Sequence, residues 1–160
     1  MHKTGVLFVC LGNICRSPLA QGVLEHRLAR TIGAGQFLVD SCGTAAFNAG
    51  KAPDPRAVAA AERRGYAIAT QRARQIHDED FRSFRHIVAM DNSNLLTLRG
   101  WAPEGFSGEL RLLMQYAPGS GNYELADPYY AGADAFDTTL NAIETGVEGL
   151  LHVLLRSTES

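Results

Sequence analysis

The chain is 160 residues long, 46% hydrophobic and 20% charged, with a formal net charge of −2. That length buries a sizeable core but is short for two domains, and mixed charge without a basic block argues against a nucleic-acid or membrane-surface protein. With neither a charged-then-apolar signal segment nor an apolar run long enough to span a bilayer, the expected setting is the cytoplasm, away from membranes.

The first apolar run, Val6-Leu7-Phe8-Val9, predicts a short buried strand that stops at Cys10. Ser17-Pro18, followed by Leu19, Val23, Leu24 and Leu28, predicts an amphipathic helix over 17–31. Further apolar runs at 36–40, 86–90 and 109–113 alternate with helical patterns at 54–64, 91–99 and 134–156. This rhythm predicts a single α/β domain with a parallel sheet and flanking helices. Residues 103–108 and 117–122, rich in Gly, Pro and Ser, read as loops. Ligands of a doubly wound sheet gather at the carboxyl ends of its strands, and Cys10 stands at such an end.

Cys10 to Arg16 is therefore a strand-to-helix loop. Such a loop turns backbone N–H groups inward as an anion nest, and the following helix adds unpaired donors and the positive end of its dipole. Phosphate is the natural guest. Gly12 admits backbone angles that a side chain forbids, and Asn13 readily adopts a left-handed conformation, so both suit a tight curl. Arg16 offers a planar fork for two phosphate oxygens. Cys10, at the bottom of the cradle among N–H donors and near a guanidinium, is favoured as thiolate and aimed at phosphorus. The alternative, a small buried hydrophobe ending a strand, suits an isolated cysteine better than one followed by Gly12, Arg16 and Ser17.

Asp127-Pro128-Tyr129-Tyr130 follows the fourth apolar run and can reach the same rim. A departing phenolate is a poor leaving group unless an acid protonates it, an effect worth roughly 10²–10⁴-fold, and Asp127 suits that role. It then serves as base on the water that hydrolyses a phosphocysteine. Taken alone, Asp-Pro is ordinary turn chemistry.

The string Val9-Cys10-Leu11-Gly12-Asn13-Ile14-Cys15-Arg16-Ser17-Pro18 resembles the signature loop of the low-molecular-weight protein tyrosine phosphatase family. Asp40-Ser41, Gly43-Thr44, Pro53-Asp54-Pro55-Arg56-Ala57, Ala73-Arg74-Gln75, Met90-Asp91-Asn92-Ser93-Asn94 and Asp127-Pro128-Tyr129-Tyr130 extend the resemblance over nearly the whole chain. It implies a four-stranded sheet with the first strand central, a phosphotyrosine phosphatase activity, and Cys10, Arg16 and Asp127 as catalytic residues. It also implies aromatic walls at Phe47 and Tyr129 around a substrate ring, with Tyr130 beside them as a further contact or a phosphorylation target. Leu11 and Ile14 either touch the ligand at the mouth or pack in the core. Gly12, Asn13 and Cys15 complete the loop, and Ser17 hydrogen-bonds the Cys10 thiolate. Asn13 and Ser41 hold the loop curled through a polar network, while Asp91 reads as a helix N-cap. The implied partners are phosphotyrosine proteins, among them a bacterial tyrosine kinase, with inorganic phosphate as product.

Two positions depart from the family. Many relatives carry a histidine two residues before Ala-Arg-Gln that orients the loop asparagine, where this chain has Gln71, which both donates and accepts. Cys42 replaces a small apolar residue and reads as a buried inert thiol. The five histidines match no catalytic position and read as surface or capping residues. Three cysteines make no disulfide framework, and Cys10 and Cys15 lack the paired ligand sets of a zinc site, so neither metal nor other cofactor is expected. Cys15 instead reads as a packing thiol or as the partner that traps an oxidised Cys10 as a disulfide.

Other functions share parts of this pattern. Arsenate reductases of this fold relay electrons through two further cysteines in mid-chain, and none follows Cys42 here. By resemblance, phosphoarginine phosphatases carry threonine where Ile14 stands and lack the paired tyrosines. A silent phosphotyrosine-binding module could dispense with Cys10 and Asp127. No Walker-type Gly-x4-Gly-Lys-Ser/Thr string occurs.

Overall fold

Strand β1 (Thr4–Cys10) carries four consecutive apolar residues, Val6 to Val9, and all four are fully buried. A strand apolar on both sides must be covered on both sides, which places it inside a parallel sheet rather than at an edge. The computed structural model describes residues 3–31, 33–119 and 121–158. In it β1 pairs with β2 (Phe37–Gly43) on one side and β3 (His86–Ala89) on the other, and β4 (Glu109–Leu112) lies beyond β3. The order is β2-β1-β3-β4 and every pair is parallel. Five α-helices accompany the sheet among the described residues: α1 (Arg16–Leu28), α2 (Pro55–Glu62), α3 (Asp80–Ser83), α4 (Asn92–Trp101) and α5 (Ala133–Thr158).

Alternation along β1 and β3 divides the interior into two layers. Val6, Phe8, Val88 and Met90 face α1, α2 and α5 and pack with Leu19, Val23, Phe136, Leu140, Ile143 and Val147. Leu7, Val9, Ile87 and Ala89 face the other way, onto Phe81, Leu95 and Leu98. Each such side chain contributes about 1.5–3 kcal/mol on full burial. Helix α5 is held close to the turn after β4, for a Cβ at Gly149 would fall 1.9 Å from the carbonyl oxygen of Tyr116. None of the helices among the described residues is long and apolar enough to cross a membrane.

The differences from the sequence reading are local. Helix α1 stops at Leu28 rather than at 31, because Arg30 and Thr31 turn back onto the carbonyls of Arg27 and Leu28, three residues earlier. The short α3, with no amphipathic period to announce it, was not anticipated. His86 corrects the surface reading of the histidines: it opens β3, is 5% exposed, and its strand position turns it onto the same face as Val88. His77 and His152 are exposed and His26 is half-buried edge-on to Tyr66, whereas His2 lies outside the described residues.

Candidate active site

The end of β1 and the start of α1 are joined by a loop that has four of its carbonyls engaged by surrounding segments. Thr44 N–H donates to the carbonyl of Cys10 at 2.9 Å and Ala45 N–H to that of Leu11 at 3.0 Å. The Asn48 amide donates to Gly12 at 3.2 Å, and Asp54 N–H to Ile14 at 2.8 Å. With the oxygens tied to the surrounding segments, the N–H groups of the loop are turned inward. Those of Gly12, Ile14 and Cys15 donate to no protein group among the described residues, and those of Arg16 and Ser17 begin a helix, where no preceding turn supplies acceptors. The arrangement is an anion cradle.

Cys10 Sγ lies at its floor. Asn13 N–H points at the sulfur from 3.3 Å and Ser17 Oγ lies 3.0 Å away. Asn13 takes φ = 56°, the sole positive φ outside glycine among the described residues. The cost of that conformation is offset by its amide, which donates to Ser17 Oγ at 2.8 Å and Ser41 Oγ at 3.0 Å and accepts from Arg74 N–H at 3.1 Å. Ser41 passes its proton to Gln21 at 2.7 Å. Because the Ser17 oxygen already accepts from Asn13, its own proton is directed to Cys10, with the Cys42 carbonyl a longer alternative at 3.4 Å. A thiolate at Cys10 thus meets two donors aimed at sulfur.

Arg16 is 2% exposed and its guanidinium is fixed before any ligand arrives. Nη1 donates to Asp91 Oδ2 at 2.7 Å and to the Leu125 carbonyl at 2.8 Å, while Nη2 lies 3.7 Å from Asp127 Oδ2. Asp91 caps α4 as the sequence indicates, accepting from Asn94 N–H at 2.8 Å through its other oxygen, so one carboxylate both starts a helix and aims the arginine. Asp127 is 38% exposed at the rim, its Oδ1 accepting Tyr129 N–H at 3.1 Å in a local turn. Turn and acid are therefore compatible roles.

These groups open onto one cleft of about 320 Å³, lined by the loop 10–16 and by Phe47, Asn48, Lys51, Asp127, Tyr129 and Tyr130. Leu11 and Phe47 are exposed at its mouth, and Ile14 both lines it and packs on the main core. Tyr129 stands edge-on to Tyr130 at 4.9 Å between ring centroids, and Tyr130 is 93% exposed. Sequence reasoning missed Asn48, Lys51 and Arg56. Arg56 donates to the carbonyls of Tyr129 and Ala131 at 2.9 and 3.0 Å and binds Asp54, while its guanidinium covers the rings of Tyr129 and Phe136. Hydrogen bonds from Arg56 hold the Asp54 carboxyl below the usual range.

Two expectations are corrected in detail. Gly12 has no left-handed backbone; a Cβ there would fall 2.6 Å from the Asn48 amide nitrogen and push away the group that holds the Gly12 carbonyl, so close approach and not φ favours glycine. Gln71 does not reach Asn13: its Nε2 donates to the Pro18 carbonyl at 3.1 Å and steadies the first turn of α1, leaving its Oε1 buried without a partner among the described residues. The backbone of Arg74 does the orienting instead. Cys15 and Cys42 are buried free thiols whose pKa values are raised, chiefly by burial.

A parallel sheet that ends its central strand in a cysteine, an N–H cradle and a buried arginine defines an enzyme class built to hold a phosphate monoester over a thiolate. The chain belongs to the low molecular weight phosphotyrosine protein phosphatase family, whose model matches residues 5–160. It is 41% identical over 133 residues to the low molecular weight phosphotyrosine protein phosphatase of Schizosaccharomyces pombe, covering 82% of this chain and 84% of that one. With the low molecular weight protein-tyrosine-phosphatase of Streptomyces coelicolor it shares 37% over 158 residues, or 96% and 95% of the two chains. A crystal structure of a protein tyrosine phosphatase from Entamoeba histolytica, with Hepes in its active site, superposes with a TM-score of 0.92 at 31% identity, covering 98% and 99%. A structure titled as the Drosophila arginine phosphatase gives 0.87 at 32% identity, covering 93% and 96%.

Proposed function

We propose that the chain hydrolyses phosphotyrosine in proteins, with Cys10 as nucleophile, Arg16 as phosphate clamp and Asp127 as acid and then base. The convergence of these three side chains on one cleft carries the reading. A phosphoryl group seated on the loop accepts the inward N–H donors and the free face of Arg16. Sγ attacks phosphorus, the bond to the tyrosine oxygen breaks, and Asp127 gives that oxygen its proton. The resulting carboxylate takes a proton from water as the water displaces sulfur. Phosphate leaves and the thiolate returns, stabilised by Ser17 and Asn13. Phe47 and Tyr129 flank a ring of the size that phosphotyrosine presents.

The proposed partners are phosphotyrosine proteins, including a bacterial tyrosine kinase. The proposed compartment is the cytoplasm, because a thiol nucleophile beside two further free thiols suits a reducing setting. The test is turnover of phosphotyrosine, phosphoserine and phosphoarginine peptides, alongside arsenate reduction, with wild type and Cys10→Ser. Phosphotyrosine is expected to be preferred, and Cys10→Ser to lose turnover while still binding phosphate. Preference for phosphoarginine overturns the substrate, and substantial turnover by Cys10→Ser overturns the covalent mechanism.

A further inference from the structure

A second cavity, of about 460 Å³, lies at the end of the sheet where β3 and β4 begin, opposite the end that carries Cys10. The strand positions of His86, Glu109 and Arg111 turn these side chains toward α5, whose Gly149, Val153 and Arg156 form the facing wall. The lining is cationic, with Arg85, Arg111 and Arg156 set against the single carboxylate of Glu109. Arg111 holds that carboxylate through Nε at 3.2 Å. Arg85 and Arg156 have no hydrogen-bonded or ionic side-chain partner among the described residues. Elsewhere on the surface Arg27, Arg63, Arg64 and Arg82 each hold a carboxylate. Two guanidiniums that hold no carboxylate among the described residues thus share one hollow in a protein of net negative charge. Lys3 lines a neighbouring hollow that shares Arg85 and adds to the positive field.

His86 supplies an independent sign. It is 95% buried in a wall of the cavity, since only 5% of it is exposed, and its Nδ1 has no partner among the described residues. Buried polar atoms in native proteins are ordinarily satisfied, and an orphan beside unpaired arginines suggests a ligand as the missing acceptor or donor. Burial, then Arg85, with Arg111 adding and Glu109 opposing, lowers the pKa of the imidazole, so at neutral pH it is neutral and does not add to the repulsion.

We propose that this cavity binds a small anion bearing two or more phosphate groups. Guanidinium forks match phosphate oxygens, and three of them around one carboxylate leave charge for more than a single monoanion. The volume exceeds that of the catalytic cleft, which leaves room for a second phosphate, and Tyr116 offers a ring where an organic group would lie.

The test follows the ring signal of His86 and the amide signals of Gly149 and Val153 by NMR in the full chain, because these report the distal cavity whatever occupies the catalytic loop. Pyrophosphate, tripolyphosphate, ATP and inorganic phosphate are titrated into wild type and into the double variant Arg85→Ala/Arg156→Ala. Saturable shifts of all three signals are expected with pyrophosphate, with affinity at least tenfold weaker in the double variant, whose turnover of a small aryl phosphate stays unchanged. ATP binding tighter than tripolyphosphate identifies a nucleoside ligand, and equal affinity identifies the phosphate chain alone. Unmoved signals, equal affinity in the double variant, or inorganic phosphate binding as tightly as pyrophosphate overturns the proposal.

Discussion

Nη2 of Arg56 donates to the carbonyl of Tyr129 at 2.9 Å and to Asp54 Oδ2 at 2.9 Å, so one guanidinium fastens the segment carrying the proposed acid, Asp127, to the segment that braces the phosphate loop. Asp54 completes the link, since its N–H holds the Ile14 carbonyl. Arg56→Ala is expected to lower kcat for phosphotyrosine about 10- to 10²-fold, as misplacing a catalytic group by about 1 Å does. Asp127→Asn is expected to cost roughly 10²–10⁴-fold. Both losses should shrink for aryl phosphates with good leaving groups, because both act through the proton. Steady-state rates across a leaving-group series check this, and a loss in Arg56→Ala that ignores the leaving group would detach it from Asp127.

Asp91→Asn separates aiming from capping. Asparagine still accepts the Asn94 N–H as an N-cap, but its amide no longer supplies the charge that Arg16 Nη1 meets at 2.7 Å. The inhibition constant of inorganic phosphate is expected to rise several-fold with little change in melting temperature. Arg16→Lys should lose most activity, since a point charge cannot replace the fork.

Phe47→Ala and Tyr129→Ala are expected to raise KM for phosphotyrosine peptides more than for small alkyl phosphates, which have no ring to lose contact. Kinetics on both substrate types decide it. Equal effects on both would indicate that the loops themselves had shifted.

Stability should fall as the solution is acidified through the histidine range. The pKa of buried His86 is depressed below its ordinary value of about 6.5, so the unfolded chain takes up a proton that the folded chain resists. Its neutral form leaves stability intact above that value, and stability is lost as pH drops below it until the folded-state pKa is reached. His26 acts in the same direction, while Asp54, whose pKa is depressed below 3.8, contributes only at more acid pH. His86→Gln is therefore expected to flatten, though not abolish, the decline of melting temperature between about pH 7 and 5. An identical slope in the variant would assign the decline to other groups.

Peroxide is expected to oxidise Cys10 to a sulfenic acid, and the Cys15 thiol to displace water from it and form a disulfide. Both sulfurs are buried in the same core layer. The pKa of Cys15 is raised by burial, then by Asp54 and Asp127, so crosslinking should accelerate with pH. In Cys15→Ser the untrapped sulfenic acid is oxidised by further peroxide to an irreversible sulfinic acid, so wild type should regain activity with dithiothreitol where the variant does not, and mass spectrometry should find the Cys10–Cys15 peptide only in wild type. Equal recovery without a crosslink would make Cys15 a packing residue.

What was legible in the sequence was what is contiguous. The cradle from Cys10 to Ser17 and the acid at Asp127 each sit in a short string whose chemistry is readable without knowing the fold. Alternating apolar runs marked all four strands. The braces were not legible, because Arg56, Asn48 and the Arg74 backbone reach the site only through tertiary approach. Pro53-Asp54-Pro55-Arg56 stood out as a family segment and a helix start, yet nothing local connects Arg56 with a carbonyl 73 residues later. His86 was misplaced for a related reason: a polar residue at the lip of an apolar run reads as solvated, and only pairing with Val6 and Glu109 reveals that it is enclosed.

The packing of α1 against α5 also ties the cleft to a segment far from it in the chain. Leu19 and Val23, just behind Cys10 and Arg16, share one core layer with Phe136, Leu140 and Ile143 of α5. Without α5 the cradle has no back wall, however intact its own loop. A cut that releases α5 is therefore expected to disarm the enzyme without touching a single residue of its cleft.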